Sequence, residues 1–188
     1  MIPVARPREG DDSNGDPGER EGLPAGFRIS PVTEDDVRAL NRLVNDPEVA
    51  RFLDLAPPVP LDRTLDFLRY IREQEGAWWA LRVDGAVAGS VGLIPADPSS
   101  RLGHTASLFV YLDSAWWGRG LAGRGIRAMV DEAARRGLVR LEVLVVAGNQ
   151  RSLHLFAGCG FEQEGVRRAG FRTDDGYLDL VQLARILR

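Results

Sequence analysis

The sequence predicts a single α/β domain, and three stretches make the prediction. "AWWALRV" (77–83) and "AVAGSVGLI" (86–94) flank Asp84-Gly85, a strong tight-turn pair, so they read as an antiparallel hairpin. "WWGRGLAGRG" (116–125) follows a strand-like run and opens a helix-like one. "VRLEVLVV" (139–146) is apolar nearly throughout, as expected of a strand buried on both faces of a sheet. Strands alternating with helices in a chain of 188 residues give the α/β class, with room for one core of ordinary size.

Taken in order, residues 1–25 are rich in Gly, Pro, Asp, Glu and Arg and almost lack large apolar side chains. They cannot bury enough surface to offset the entropy of ordering, so they read as a flexible tail ahead of a domain over 26–188. "FRISPV" (27–32) is a short alternating strand, and Thr33 is placed to cap a helix. Val37, Leu40 and Val44 recur at helical spacing until Pro47 closes the segment. "RFLDLAPPVP" (51–60) is a proline-broken connection, after which Leu61, Leu65, Leu68 and Ile71 mark a second amphipathic helix. The hairpin follows, then "HTASLFVYL" (104–112) as the next strand. Ile126, Met129, Val130 and Ala133 form one apolar face of a helix running from the glycine loop to Gly137, a C-terminal cap. After the buried strand, Asn149 and Ser152 start a short helix that ends at "GCGF" (158–161). "EGVRRAGFR", a "TDDG" turn and "YLDLVQLARI" close the chain. The order is β α α β β β α β α β β, with no internal repeat.

Composition excludes several function classes. A net charge of −3 argues against affinity built on neutralising a nucleic-acid backbone. All 24 basic residues are arginine, so neither a phosphate-binding Walker lysine nor a Schiff-base lysine exists. Cys159 is the one cysteine, which leaves no intrachain disulfide or cysteine zinc cluster and makes a reducing compartment the default. The start "MIPVARPREGDDSNGDPGER" has no apolar signal core, and no stretch approaches a membrane span. A cytoplasmic protein, bound to neither membrane nor nucleic acid, is expected. Two histidines among scattered acids offer no metal-ligand spacing, so no metal is expected.

Gly118 to Gly123 reads "GRGLAG" and fits G-x-G-x-x-G. Between a strand and a helix such a loop lets backbone approach an anion, and the first helical N–H groups face it along the positive end of the helix dipole. The competing reading is a tight turn with no ligand. A dinucleotide site would want an acid at the end of the next strand, but that end reads "VVAGN", with Glu142 mid-strand. It would also need further β-α-β crossovers, and only one short helix and two strands follow Gly148.

"WWGRGLAGRGIRAM", then a strand, then "NQRSLHLFAGCGF", resembles the GNAT superfamily of acyl-CoA-dependent N-acetyltransferases, in particular its Rim-type branch of ribosomal-protein N-terminal acetyltransferases. Gly120 and Ala122 match the two small positions of that superfamily's loop motif, and Trp117 stands where its leading Gln or Arg would be. Asn149, Ser152 and Gly160-Phe161 match the second block of the branch. The resemblance runs in element order from Phe27 to Ile186 and includes "DPEVARFL" (46–53).

This resemblance implies a mixed, mostly antiparallel sheet of six or seven strands with about four helices and a V-shaped opening at a splayed parallel pair. It implies that backbone N–H groups of Trp117, Gly118, Arg119, Gly120, Leu121, Ala122 and Gly123 grip the pyrophosphate of coenzyme A, with Arg119 or Arg124 adding charge. Tyr111 and Leu112 fall where main-chain groups bond the pantetheine arm and polarise the thioester. Asn149 and Phe156 complete the cofactor set. The Tyr that many members use as acid is Phe156 here, which has no proton to donate, so Ser152 becomes the candidate acid. A Ser in a first helical turn often only bonds backbone, and Asn149 is equally suited to be an N-cap. Acids common in the branch correspond to Ser107 and Gly170, which leaves the base unnamed. His104, Asp113, Glu164, Asp174 and Asp175 remain as polar candidates, with His154 reading as an exposed helix residue.

Cys159 reads as a packing residue at a helix end. Trp78 and Trp79, consecutive in a strand, point to opposite faces, one into the core and the other toward the acceptor groove or a dimer contact. The groove is expected between "DPEVARFLDLAPPVPLD" (46–62) and the hairpin turn "RTDDG" (172–176). The implied activity is acetyl transfer from acetyl-CoA to a primary amine, a protein N-terminus or a small molecule, with a homodimer possible. The alternatives are a non-catalytic acyl-CoA sensor and an enzyme using a larger acyl group.

Overall fold

In the computed structural model, residues 22–187 are described, so the expected tail over 1–25 lies, save 22–25, outside the described residues. Seven strands appear among them: β1 (Arg28–Pro31), β2 (Ala77–Val83), β3 (Ala86–Pro95), β4 (Thr105–Leu112), β5 (Arg140–Val146), β6 (Glu162–Thr173) and β7 (Gly176–Ile186). The helices are α1 (Val37–Val44), α2 (Pro47–Ala50), α3 (Leu61–Glu73), α4 (Leu121–Arg135) and α5 (Gln150–Gly158). They build one sheet in the order β1-β2-β3-β4-β5-β7-β6. All neighbours run antiparallel except β4 and β5.

The β2–β3 hairpin turns at Asp84 and Gly85, whose φ values of 49° and 83° are both left-handed, as a two-residue turn matched to the strand twist requires. Trp78 and Trp79 do part to opposite faces. Trp78, 4% exposed, joins Leu40, Leu68 and Ile71 under α1 and α3. Trp79 packs, partly buried, against the core on the α4 side.

On that second face α4 sits close to the sheet because Gly125 lets it. A Cβ there would meet Leu81 side-chain carbons at 2.9 and 3.2 Å and Val91 at 3.3 Å. Gly137 ends α4 as expected: the N–H of Leu138 reaches the Ala133 carbonyl and that of Gly137 the Ala134 carbonyl, a Schellman closure. Gly160 closes α5 the same way, and Phe156 and Phe161 clasp across it edge to face at 5.2 Å.

Two local expectations change. Pro47 opens α2 instead of closing α1, because a first helical turn has no use for the N–H that proline lacks, and Asp46 caps it by accepting from Glu48. Thr33 precedes a 3-10 turn (Glu34–Asp36) that leads into α1, with its N–H and hydroxyl both donated to the Asp36 carboxylate. No described helix is long and apolar enough to cross a membrane.

Candidate active site

The site begins where the parallel pair comes apart. β4 and β5 are in register only at Thr105–Arg140, Ala106–Leu141 and Ser107–Glu142. Beyond Ser107, β4 stays on β3 as far as Leu112, while β5 stays on β7 as far as Val146. Past Ser107 and Glu142 the two strands share no further pairs, so they part there, and sheet twist widens the gap between them. The V-shaped opening expected between the strands flanking the glycine loop is therefore present.

Backbone alternation decides which groups address this opening. Asp113 donates to the Ala88 carbonyl and Ala96 donates to the Thr105 carbonyl, so the odd-numbered residues of β4 turn their N–H and C=O groups toward β3. Leu108, Val110 and Leu112 turn theirs toward the gap. Leu112 thus lies as expected, but the main chain of Tyr111 is committed to β3, opposite Ser90. Val110 takes the place that the sequence reading gave to Tyr111, a choice that depends on register with a strand twenty residues away. The Tyr111 side chain instead belongs to the α1/α3 face. Burial, only partly offset by a hydrogen bond with Ser90, pushes its phenol well above the usual range. Ser90 is fully buried and also accepts from the Trp78 indole at 2.9 Å.

At the wide end, the chain passes through a 3-10 turn (Ser114–Trp116) into the glycine loop. Gly118 and Gly120 have φ of 75° and 77°, left-handed values that favour glycine. Nothing lies within 4 Å of where a Gly118 Cβ would stand, so the loop is open on that side. Gly120 is the N-cap of α4 with no capping side chain, and the first helical bond runs from Arg124 to its carbonyl. The amides of residues 118–123 accordingly have no acceptor among the described residues. Six donors at one helix N-terminus, uncapped and beside open space, suit a diphosphate.

Trp117 has other duties. Its amide donates to the Ser114 carbonyl and its indole to the Leu112 carbonyl at 2.9 Å, so it pins the end of β4 to the loop and leaves no donor for an anion. The Arg151 guanidinium lies over its ring at 4.4 Å, which joins the first turn of α5 to the loop across the opening. Arg119 lies over Trp116 at 5.2 Å. Arg119 and Arg124 are exposed, while Leu121 and Gly123 are buried and Ala122 half-buried, so these last three face the loop through backbone.

Asn149 is the N-cap of α5, its side-chain oxygen accepting the Ser152 N–H at 3.1 Å. The half-buried Ser152 hydroxyl has no hydrogen-bond partner among the described residues and lies at the β5 end of the opening. Phe156 is 1% exposed and held by Phe161, a packing position behind the loop and not a contact surface.

The polar candidates for a base disperse. Asp113 caps the 3-10 turn through Ala115. Glu164 is gripped by both terminal nitrogens of Arg140, at 2.7 and 2.5 Å, which holds its carboxyl below the usual range. Asp174 and Asp175 are exposed around the β6–β7 turn, and His104 and His154 are exposed as well. Among the described residues no group of three or more His, Cys, Asp or Glu side chains is arranged to hold a metal ion.

Comparison with known proteins agrees with this arrangement. Residues 27–162 match the model of the acetyltransferase (GNAT) domain. The chain is 23% identical over 158 residues, 83% of each protein, to the spermidine N(1)-acetyltransferase of Escherichia coli K12. A ribosomal-protein-alanine N-acetyltransferase from Brucella melitensis has 26% identity and a TM-score of 0.78, over 85% of this chain and 99% of that one. A Salmonella typhimurium protein solved with its cofactor acetyl-CoA shares the fold with a TM-score of 0.80 at 19% identity, over 87% and 95% of the two chains.

Proposed function

The chain belongs to the GNAT acetyltransferase family, and on that premise we propose that it transfers an acetyl group from acetyl-CoA to a primary amine by direct attack on the thioester. The observation that supports this most directly is the set of six unengaged amides at 118–123, standing at the mouth of the opening between β4 and β5. Acetyl-CoA supplies the acyl group already activated as a thioester, and the chain's own task is to bind, orient and move protons.

In this reading the amides of Gly118 to Gly123 hold the pyrophosphate, and the exposed Arg119 and Arg124 add positive charge. The gap-facing groups of Val110 and Leu112 bond the pantetheine arm as an added strand would, and one of their N–H groups polarises the thioester carbonyl. Ser152, with its hydroxyl unengaged, is the residue we assign to protonating the departing thiolate. Trp117, Asn149 and Phe156 hold the frame. Segment 46–62, which contains α2, and the turn 172–176 wall the acceptor groove.

The acceptor we assign is a protein N-terminus or a small amine, with the Rim-type loop and second block favouring the former, and the reaction is placed in the cytoplasm. Calorimetric titration with acetyl-CoA and, in parallel, NADH tests the proposal in wild type and in Gly120→Glu, whose carboxylate would project into the loop. Acetyl-CoA binds the wild type and not the folded variant, and NADH binds neither. Failure of folded wild type to bind acetyl-CoA would return the loop to a structural turn. Acetyl-CoA binding with no thiol release in the presence of any amine would make the protein a sensor.

A further inference from the structure

Acetyl transfer needs a proton acceptor, because an aliphatic amine arrives as an ammonium ion at neutral pH and only its neutral form attacks. The fold presents a carboxylate for this where the sequence pattern shows none. Glu142 is the β5 partner of Ser107, at the last position where β4 and β5 remain paired, and so stands at the closed end of the opening. Paired residues of adjacent strands share a face, so Glu142 lies on the same side of the sheet as Ser107, Phe109 and Tyr111. That face is open here: Ser107 is exposed and the Glu142 side chain retains 35% of its accessibility. Val110, whose N–H faces the gap, is three residues further along β4, about 10 Å by strand rise. This leaves room for an amine nitrogen and a bridging water.

We infer that Glu142 accepts the proton of the incoming ammonium, directly or through one water, and is the general base of the reaction. The inference rests on the acetyl-transfer reading above. The charged groups on the face of Glu142 are Arg140 on its own strand and Glu164 and Glu162 from β6, Glu162 one strand further off as the partner of Ala184, while β4 offers Ser107 and Phe109 and β7 offers Ala184. Arg140 makes its short bonds to Glu164 and touches only Oε2 of Glu142, at 3.4 Å from Nε and Nη2. Oε1 has no bond among the described residues. Arg140 therefore orients the carboxylate from one side and leaves the other oxygen to take a proton. The ammonium gives one proton to Glu142, which passes it to solvent. The nitrogen lone pair forms the C–N bond as the C–S bond breaks, and the second nitrogen proton ends on the coenzyme A sulfur.

The test compares wild type, Glu142→Gln and the double variant Ser107→Glu/Glu142→Gln by thiol release. The acceptor probes are spermidine, a mixture of L-amino acids and an alanine-initiated peptide, and acetyl-CoA affinity is measured by calorimetry. Glu142→Gln binds acetyl-CoA like wild type but loses about 100-fold in kcat near neutral pH. Its kcat then climbs steadily as the pH nears the amine's own pKa, whereas wild-type kcat stays on a plateau across that range. A carboxylate restored on the neighbouring strand by the double variant recovers activity and the plateau. Wild-type kcat and pH profile in Glu142→Gln would overturn the assignment while leaving acetyl transfer intact. So would equal loss of activity and acetyl-CoA affinity, which is the mark of a structural role. Absence of thiol release by wild type with every probe would overturn the acetyl-transfer reading itself, and the base with it.

Discussion

Ser152 and Asn149 sit in one helical turn, yet the structure gives them different work. Asn149 spends its side-chain oxygen on the Ser152 amide, which is what an N-cap does. Of the two residues, Ser152 alone has a hydroxyl, and that hydroxyl is unengaged among the described residues. A thiol with an ordinary pKa of about 8.5 leaves readily as thiolate, so a dedicated acid speeds its departure only modestly. Ser152→Ala is therefore expected to lower kcat by about tenfold or less, with acetyl-CoA affinity unchanged. Stopped-flow thiol release together with calorimetry checks both halves. A loss near a thousandfold would make proton delivery to sulfur the hardest step and Ser152 indispensable. The same scale shows what could be read in advance. The glycines and the Asn149–Ser152 block announce themselves because they are local, set by the needs of a helix N-terminus. Trp117 is tied down within five residues, by Ser114 and Leu112, but the roles of Tyr111 and Glu142 depend on which residue of a distant strand lies opposite, and nothing in their own neighbourhood encodes that.

Among the elements, the β2–β3 and β6–β7 hairpins are legible in their turns, whereas the place of β7 between β5 and β6 has no local signal, and the opening follows once β4 is paired with β3 and β5 with β7. What fixes the helical layer against the sheet is less visible. Asp36, at the entry to α1, is 6% exposed and receives Arg82 of β2 on both oxygens at 2.7 and 2.8 Å, plus the Thr33 amide at 2.9 Å. Neither residue stands out in the sequence, since the pair spans 46 positions. Burial alone would raise the Asp36 pKa, but the Thr33 amide and the Arg82 guanidinium outweigh it and hold the group below the ordinary value. A depressed folded-state pKa contributes stability that is complete above the unfolded value, about 3.9, and is lost as pH falls through the folded value. Asp36→Asn is expected to cost about 2–3 kcal/mol near neutral pH, because it leaves a largely buried guanidinium without its counter-charge. The gap between wild type and variant should begin to narrow as pH falls below about 4 and close only once the pH has passed below the depressed folded value. Urea denaturation at neutral and acid pH measures both gaps, and equal gaps would remove the ion pair from the account.

For the molecule as a whole, the absence of lysine has a chemical consequence once acetyl-CoA is the proposed donor. Thioesters acylate neutral amines, and on most proteins the exposed lysine side chains supply them. Here every one of the 24 basic side chains is a guanidinium, which stays protonated at any working pH and is not a nucleophile. The one thiol, Cys159, is buried at 4% exposure, away from a bulky thioester. The sole amine on the polypeptide is then its N-terminus. Incubated with excess acetyl-CoA and no acceptor, the protein is expected to gain at most one stable acetyl group, readable as a single mass increment in the intact chain. Background thiol release should stop at one equivalent, so turnover beyond that reports the added amine alone. Several increments on the intact mass would show that hydroxyls or the buried thiol are reached by the donor, and thiol release would then cease to measure amine acetylation.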